Sequence, residues 1–247
     1  MAMGIDVVAK EKDAPFPWLR SMAREVAVYS AALVVALLVI GVMLQLVGAD
    51  PVASYGAILR SSLGSLGSFG QTLNKATPLI LGALAVAFAM RGGYLNVGVD
   101  GQIYLGAVCA TGVAFSLGTT TASVVGVPLV LMAGVVGGAL AALPAALLRA
   151  YWGVNEIFVT VMLNFIFMQF ADYLATGPWN DPLAGEAITK PIPVFTRLPL
   201  LLGDVGSHSG ILVALLVGVV VAQVLNRTLL GYVIRAAGDN PAAARAG

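Results

Sequence analysis

The chain has 247 residues, of which 59% are hydrophobic and only 10% are charged, and its mean hydropathy is +0.94. A soluble globular protein carries about 25% charged residues, so this composition excludes an ordinary soluble domain and indicates a polytopic membrane protein. The net charge of +1 gives no basic surface for nucleic acid, and the single cysteine, Cys109, excludes a disulfide within the chain.

Six apolar segments approach the length of about 20 residues that a helix needs to cross a bilayer. The predicted fold class is therefore all-α and polytopic, with about six transmembrane helices. The predicted spans are 26–47, 72–90, 101–117, 124–148, 154–175 and 210–225. A short amphipathic helix is predicted over 52–63, and the polar segments 1–25 and 226–247 flank the membrane domain.

Lysine and arginine residues decide the predicted orientation, because they concentrate on the cytoplasmic side of membrane proteins. With six spans, nine of these residues fall on the side of the two termini and four on the other side. Both termini are therefore predicted to be cytoplasmic. The polar segment 176–209 is then extracytoplasmic.

Residues 91–102 interrupt the apolar pattern between the second and third spans. They include four glycines together with Asn96, Asp100 and Gln102. Backbone that leaves the helix at membrane depth is tolerated where protein covers it or where it lines a watery cavity. Interrupted segments also point to binding sites in transporters. We predict a broken helix here that lines a pathway; a glycine-rich loop between two short tilted spans is the alternative.

The fifth span carries a second polar pattern. Glu156, Thr160, Asn164 and Asp172 are separated by fours or eights, which places them on one helix face. Asn155 is a predicted N-cap, and Glu156 then lies in the first turn, where a carboxylate is favoured. A polar side chain near mid-bilayer faces the bundle interior or a pathway, so Asn164 is either a pathway residue or a hydrogen-bonding link to a neighbouring helix.

Catalytic and metal-binding motifs are absent from the sequence. No Gly-x-x-x-x-Gly-Lys-Ser/Thr phosphate loop occurs, no nucleophile–base pair stands out, and His208 has no second histidine or cysteine to share a metal. We therefore predict that the chain is not an enzyme and that it has no cofactor or metal.

Three segments resemble motifs of one transporter family. Residues 93–102 (GYLNVGVDGQ) resemble its GxxNIGxEGQ motif, residues 154–165 (VNEIFVTVMLNF) resemble VxEVIxTIMLNY, and residues 228–244 (TLLGYVIRAAGDNPAAA) resemble TxxGxxxRAxGxNPxAA. The family comprises permeases of ATP-binding-cassette (ABC) importers for nucleosides and simple sugars, within the ribose and branched-chain amino-acid permease superfamily. Asp100 stands where glutamate is usual, which moves the carboxylate back by one methylene.

This resemblance implies a permease subunit in the cytoplasmic (inner) membrane of a bacterium, in contact with lipid. Its implied partners are a cytoplasmic ABC ATPase, a second permease subunit and an extracytoplasmic solute-binding protein; nucleic acid is not among them. Family members continue for several spans beyond Gly247, so the chain is expected to be C-terminally truncated.

The resemblance and the polar patterns together give four candidate pathway residues: Asn96, Asp100, Gln102 and Asn164. Their amide and carboxylate groups can exchange hydrogen bonds with a polar solute. Two other interpretations remain open. One is a secondary transporter or channel in which Asp100 couples to protons, and the other is an inactive or scaffolding fragment.

The segment 226–247 is the candidate docking site for the ATPase. Gly231 is expected to loosen the exit from the sixth span, and Gly238 with Asn240-Pro241 predicts that one helix stops and another starts. A short helix seated in a groove is a common recognition mode. The candidate docking residues are Arg235, Asp239, Asn240, Pro241, Ala243, Ala244 and Arg245.

Overall fold

The structure is a computed structural model that describes residues 17–118, 121–185, 188–201, 206–240 and 244. These residues form eight α-helices and one short 3-10 helix, Val194–Thr196, and they contain no named strand. The helices are α1 (Pro17–Leu46), α2 (Pro51–Leu63), α3 (Leu66–Arg91), α4 (Val99–Ser116), α5 (Ser123–Trp152), α6 (Glu156–Thr176), α7 (Gly210–Arg227) and α8 (Leu229–Asp239). The predicted all-α class is confirmed.

Five of the described helices are long and apolar enough to cross a membrane. They are α3, α5, α6, α7 and the part of α1 from Arg24 to Leu46. The remaining predicted span, 101–117, corresponds to α4, whose 18 residues cover about 27 Å at 1.5 Å per residue. Asp100 and Gln102 in its first turn lower its hydropathy. The chain is thus a multi-pass membrane protein, while the predicted limits of each span in the bilayer remain predictions.

The chain divides into two units at Ser65. In the first unit, the predicted helix over 52–63 is present as α2. Asp50 caps it, with its carboxylate accepting hydrogen bonds from the backbone N–H groups of Val52 (2.8 Å) and Ala53 (3.2 Å). The Tyr55 hydroxyl donates to the Leu37 carbonyl of α1 at 2.6 Å. The apolar part of α1 has no buried residue, as expected of a surface that lipid solvates.

Small residues bring α4 and α5 close together in the second unit. A Cβ added to Gly106 would lie 2.9 Å from the Gly134 carbonyl oxygen, and one added to Gly137 would lie 2.7 Å from Cys109 Sγ. Ala114, Ala141 and Ala145 are fully or almost fully buried in the same unit. This packing fits helices in lipid, where close contact rather than a hydrophobic driving force holds the bundle together.

The polar segment after α6 is anchored to α3. The Asn74 side-chain oxygen accepts hydrogen bonds from Ser207 Oγ and from the backbone N–H of His208, both at 3.0 Å. Ser207 is fully buried, and a Cβ on Gly70 would lie 2.8 Å from its backbone nitrogen. No sequence pattern indicates this contact, because it joins residues that are 133 and 134 positions apart in the chain.

Candidate functional site

The interruption predicted over 91–102 is present in the fold. α3 ends at Arg91, the chain turns through Gly92 and Gly93, and α4 begins at Val99. Gly93 has φ +72°, a left-handed conformation that glycine adopts without steric cost. We call residues 92–98 the break. It separates two helices of one unit and leaves Asn96 outside both of them.

Two of the predicted pathway residues form a reciprocal amide pair. Asn96 Nδ2 donates to Gln102 Oε1, and Gln102 Nε2 donates to Asn96 Oδ1, both at 3.1 Å. Asn96 Oδ1 also accepts a hydrogen bond from the backbone N–H of Gly98 at 2.9 Å. Asn96 is buried, with 9% of its surface exposed. The pair therefore links the break to the first turn of α4 through groups that remain able to hydrogen-bond other molecules.

Asn164 on α6 holds the C-terminal end of the break. Its Oδ1 accepts a hydrogen bond from the Gly101 backbone N–H at 2.7 Å, and its Nδ2 donates to the Val97 carbonyl at 2.9 Å. Gly98, the N-cap of α4, has no side chain to satisfy the first turn. Asn164 therefore caps α4 from a different helix. Of the two interpretations left open by the sequence, its contacts fit the hydrogen-bonding link; its pathway role remains a prediction.

Thr160 packs against the same end of the break. It is 1% exposed, and a Cβ added to Gly98 would lie 2.9 Å from its Cβ. Its hydroxyl donates within α6, to the carbonyls of Glu156 and Ile157. The predicted polar face of α6 thus contacts the break through Thr160 and Asn164.

Asn96 lines two separate cavities. The larger, of about 630 Å³, has three polar side chains in its wall, Tyr94, Asn96 and Gln102. The rest of its wall is apolar and comes from α3, α5, α7, α8 and Gly92. The smaller, of about 420 Å³, lies between α3 and the start of α4 and includes Asn96 and Asp100. Ligand sites usually combine apolar walls with a few polar groups, and the larger cavity has that character.

Asp100 is exposed and lies in the first turn of α4. A carboxylate is favoured there by the helix dipole. The structure places it beside the smaller cavity and does not bring it into the amide pair.

The turn between α5 and α6 is built as a rigid corner. α5 continues to Trp152, four residues beyond the predicted end of its span, and stops where Gly153 adopts φ +64°. The predicted N-cap is confirmed, since the Asn155 side chain accepts a hydrogen bond from Ile157 N at 2.9 Å. Arg149 Nε lies 3.4 Å from Glu156 Oε2 across this corner. Glu156 therefore has a structural role in the turn.

The helix α8 folds back tightly from the end of α7. Thr228 caps it by accepting a hydrogen bond from Gly231 N at 3.1 Å, and its hydroxyl donates to the Val224 carbonyl at 2.7 Å. Gly231 is buried, and a Cβ there would collide with the carbonyl oxygen of Val224. The expectation that Gly231 loosens this exit is wrong, because the absence of a side chain lets the two helices touch.

A second glycine joins α8 to the break. A Cβ on Gly238 would collide with the Arg91 carbonyl oxygen and lie 2.9 Å from Gly93 N; one on Gly93 would lie 3.1 Å from the Gly238 Cα. Gly231 and Gly238 are seven residues apart, so they lie on the same helix face. That spacing indicates a helix face that packs closely. The prediction from the sequence was instead a loosened exit at Gly231 and a helix stop at Gly238.

The candidate docking residues divide between described and undescribed positions. Asp239 and Asn240 are exposed, and α8 stops at Asp239. Asn240 is extended, and its carbonyl accepts a hydrogen bond from the backbone N–H of Ala244 at 3.0 Å. Among the described residues, Arg235 Nη1 is a buried nitrogen without a hydrogen-bond partner. Pro241, Ala243 and Arg245 lie outside the described residues.

The known proteins that this chain resembles include three that are named as ABC transporter permeases. The chain is 36% identical over 223 residues to the glucose ABC transporter permease protein TsgB13 of Haloferax volcanii, an alignment that covers 85% of this chain and 57% of that protein. It is 29% identical over 231 residues to the nucleoside ABC transporter permease protein NupB of Lactococcus lactis, covering 90% and 63% respectively. It is 31% identical over 214 residues to the guanosine ABC transporter permease protein NupP of Bacillus subtilis, covering 81% and 58%. No solved structure matches.

The chain therefore spans about 57–63% of the length of these curated relatives. A model of the family described as branched-chain amino acid transport system, permease component, matches residues 68–247, which include the break, α6 and α8. The chain belongs to this family of transport-system permease components.

Proposed function

We propose that this chain is part of the permease subunit of an ABC importer that carries a nucleoside or a simple sugar across the cytoplasmic membrane. The observation that carries the proposal is the cavity of about 630 Å³ whose polar wall consists of Tyr94 and the amide pair at the break. The relatives named for glucose, nucleoside and guanosine transport support the two solute classes.

The amide pair is suited to passing a polar solute. Each amide offers a donor and an acceptor, and each is satisfied by the other when no solute is present. A hydroxyl or a nucleobase edge can replace one amide as the partner of the other, so the amide that binds the solute keeps a hydrogen-bond partner during the exchange. Asn96 borders both cavities, and we propose that solute passes between them when the pair opens.

Energy for transport comes, in this proposal, from a separate cytoplasmic ATPase that docks on α8 and the residues after it. This assignment rests on the resemblance of 228–244 to the family's motif and on the exposed residues Asp239 and Asn240 at the end of α8. We further propose cytoplasmic termini, a second permease subunit and an extracytoplasmic solute-binding protein, on the basis of the charge bias and the family.

The amide pair is tested by uptake measurements on the complete permease in cells. We expect that Asn96→Leu and Gln102→Leu abolish uptake of labelled nucleoside or sugar without lowering the amount of permease in the membrane. Leucine is close in size and favourable in a membrane interior, but it cannot hydrogen-bond. Gln223→Leu is the control, because it replaces an exposed amide on α7 that lies outside the candidate docking segment 226–247. Normal uptake by both test variants would show that the pair only shapes a turn.

The same cells separate the ABC importer from a secondary transporter. Uptake is expected to require the ATPase and to survive collapse of the proton gradient while ATP is maintained. Uptake by the permease alone in liposomes under a pH gradient would contradict the proposal. It would favour the hypothesis of a proton-coupled transporter.

A further inference from the structure

The break is held at its two ends by two different helices. Asn164 of α6 binds the backbone of Val97 and Gly101 with directed hydrogen bonds. At the other end, Gly93 contacts Gly238 of α8 through backbone atoms. Asn96 lies between these two anchors.

The helix that touches the N-terminal end of the break also carries candidate docking residues. Arg235 and Asp239 flank Gly238 on α8. Ile234 lies one turn before Gly238, borders the larger cavity, and its Cγ2 would lie 3.6 Å from a Cβ on Gly92. One short helix therefore joins the expected ATPase surface to the break and to the cavity wall.

We propose that α8 positions the break, and that Gly238 is the residue through which movement of α8 during the ATPase cycle reaches residues 91–95. Asn164 meanwhile holds residues 97–101 in place, so the displacement is taken up around Asn96 and the amide pair opens. This inference rests on the proposed function, since it assumes that an ATPase docks at α8.

The backbone contact between Gly238 and the end of α3 is suited to passing on a movement of α8. Backbone atoms packed against backbone atoms cannot compress, so a shift of α8 must move the end of α3 or separate the contact. Hinge movements are absorbed by a few residues at the ends of elements. The break provides them: it contains Gly93, whose φ is +72°, and it precedes a helix whose first turn is fixed from α6.

The test is Gly238→Ala in the complete permease, assembled with its ATPase and solute-binding protein. The added Cβ would collide with the Arg91 carbonyl and push α8 away from the break. We expect the ATPase to co-purify as with the parent and to hydrolyse ATP, while solute transported per ATP falls about tenfold or more, a typical size for coupling between sites. Gly218→Ala on α7 is the matched control, because its Cβ would meet Leu84 Cδ1 at an ordinary 3.6 Å.

Two outcomes would overturn the proposal. Parent-like transport per ATP in Gly238→Ala would show that the contact transmits nothing. Loss of ATPase capture would make Gly238 part of the docking surface rather than a positioning residue. The outcome for Asn96→Leu is independent of both, so failure of the pathway and failure of the α8 contact can be told apart.

A distance measurement covers the case in which Gly238→Ala does not accumulate. Spin labels are placed at exposed Tyr232 of α8, Met90 of α3 and Met162 of α6, with Cys109→Ala to remove the native thiol. Between ATP-free and ATP-bound complexes we expect the Tyr232–Met90 distance to stay constant and the Tyr232–Met162 distance to change. A change in the first distance alone would contradict movement of α8 and the end of α3 as one body.

Discussion

The two ends of the break differ in what holds them. The C-terminal end is fixed by two directed hydrogen bonds from Asn164 and by the packing of Thr160 on Gly98. The N-terminal end rests on α8 through glycine backbone, with Gly93 facing Gly238. Directed hydrogen bonds weaken steeply when their geometry changes, whereas a contact between smooth backbone surfaces can be pushed as a unit. The comparison suggests one fixed end and one driven end.

The largest effect on stability is expected from removing the fixed end. Asn164→Leu leaves the buried Gly101 N–H without its partner, so the free energy of unfolding should fall by about 1–3 kcal/mol. Thermal unfolding of the purified permease in detergent measures this, with Gln223→Leu as the control for losing an exposed amide. Equal stability of the two variants would show that Asn164 does not fix this end, and the comparison would fail.

A smaller loss of stability is expected from crowding the fixed end than from unpairing it. Gly98→Ala brings a Cβ to 2.9 Å from Thr160 Cβ, and overpacking of this kind costs about 1–3 kcal/mol. We place Gly98→Ala at the low end of that range because the Asn164 hydrogen bonds can remain.

Gly238→Ala sharpens the comparison when it is measured beside Gly98→Ala. Movement of α8 can relieve the crowding at Gly238, so we expect it to unfold at a higher temperature than Gly98→Ala and yet to transport less solute per ATP. The opposite order in both measurements would show that the N-terminal end of the break is the fixed one and that the C-terminal end is the one that moves.

The sequence predicted the position and polarity of the break well, because four glycines and three polar residues are conspicuous between apolar runs. It also placed Thr160 and Asn164 on one face of α6, since helical spacing alone decides that. It did not predict that Asn164 caps α4, because the partner atoms are backbone groups 63 residues earlier in the chain. The contact of Gly93 with Gly238 could not be predicted for a related reason: glycine has no side chain, so its residue type does not indicate what it contacts.

The smallest effect on stability is expected at Asp100, which takes no part in the contacts described at either end of the break. It is exposed, lies beside the smaller cavity and belongs to neither the amide pair nor the Asn164 hydrogen bonds. Asp100→Asn keeps the size of the side chain and removes its interaction with the α4 dipole, which is worth about 0.3–1 kcal/mol at an exposed helix N-terminus. Unfolding should therefore shift only slightly.

ATP-dependent uptake by Asp100→Asn should stay close to that of the parent, and Asp100→Glu, which keeps the carboxylate, should behave in the same way. Uptake is measured at several external pH values with ATP held constant. A carboxylate that carried coupling protons would be indispensable, because an amide cannot bind and release a proton in this range. One combination of results would therefore contradict ATP-driven movement of α8: loss of uptake in Asp100→Asn, retention in Asp100→Glu, and uptake driven by a pH gradient. It would favour proton coupling at the start of α4 instead.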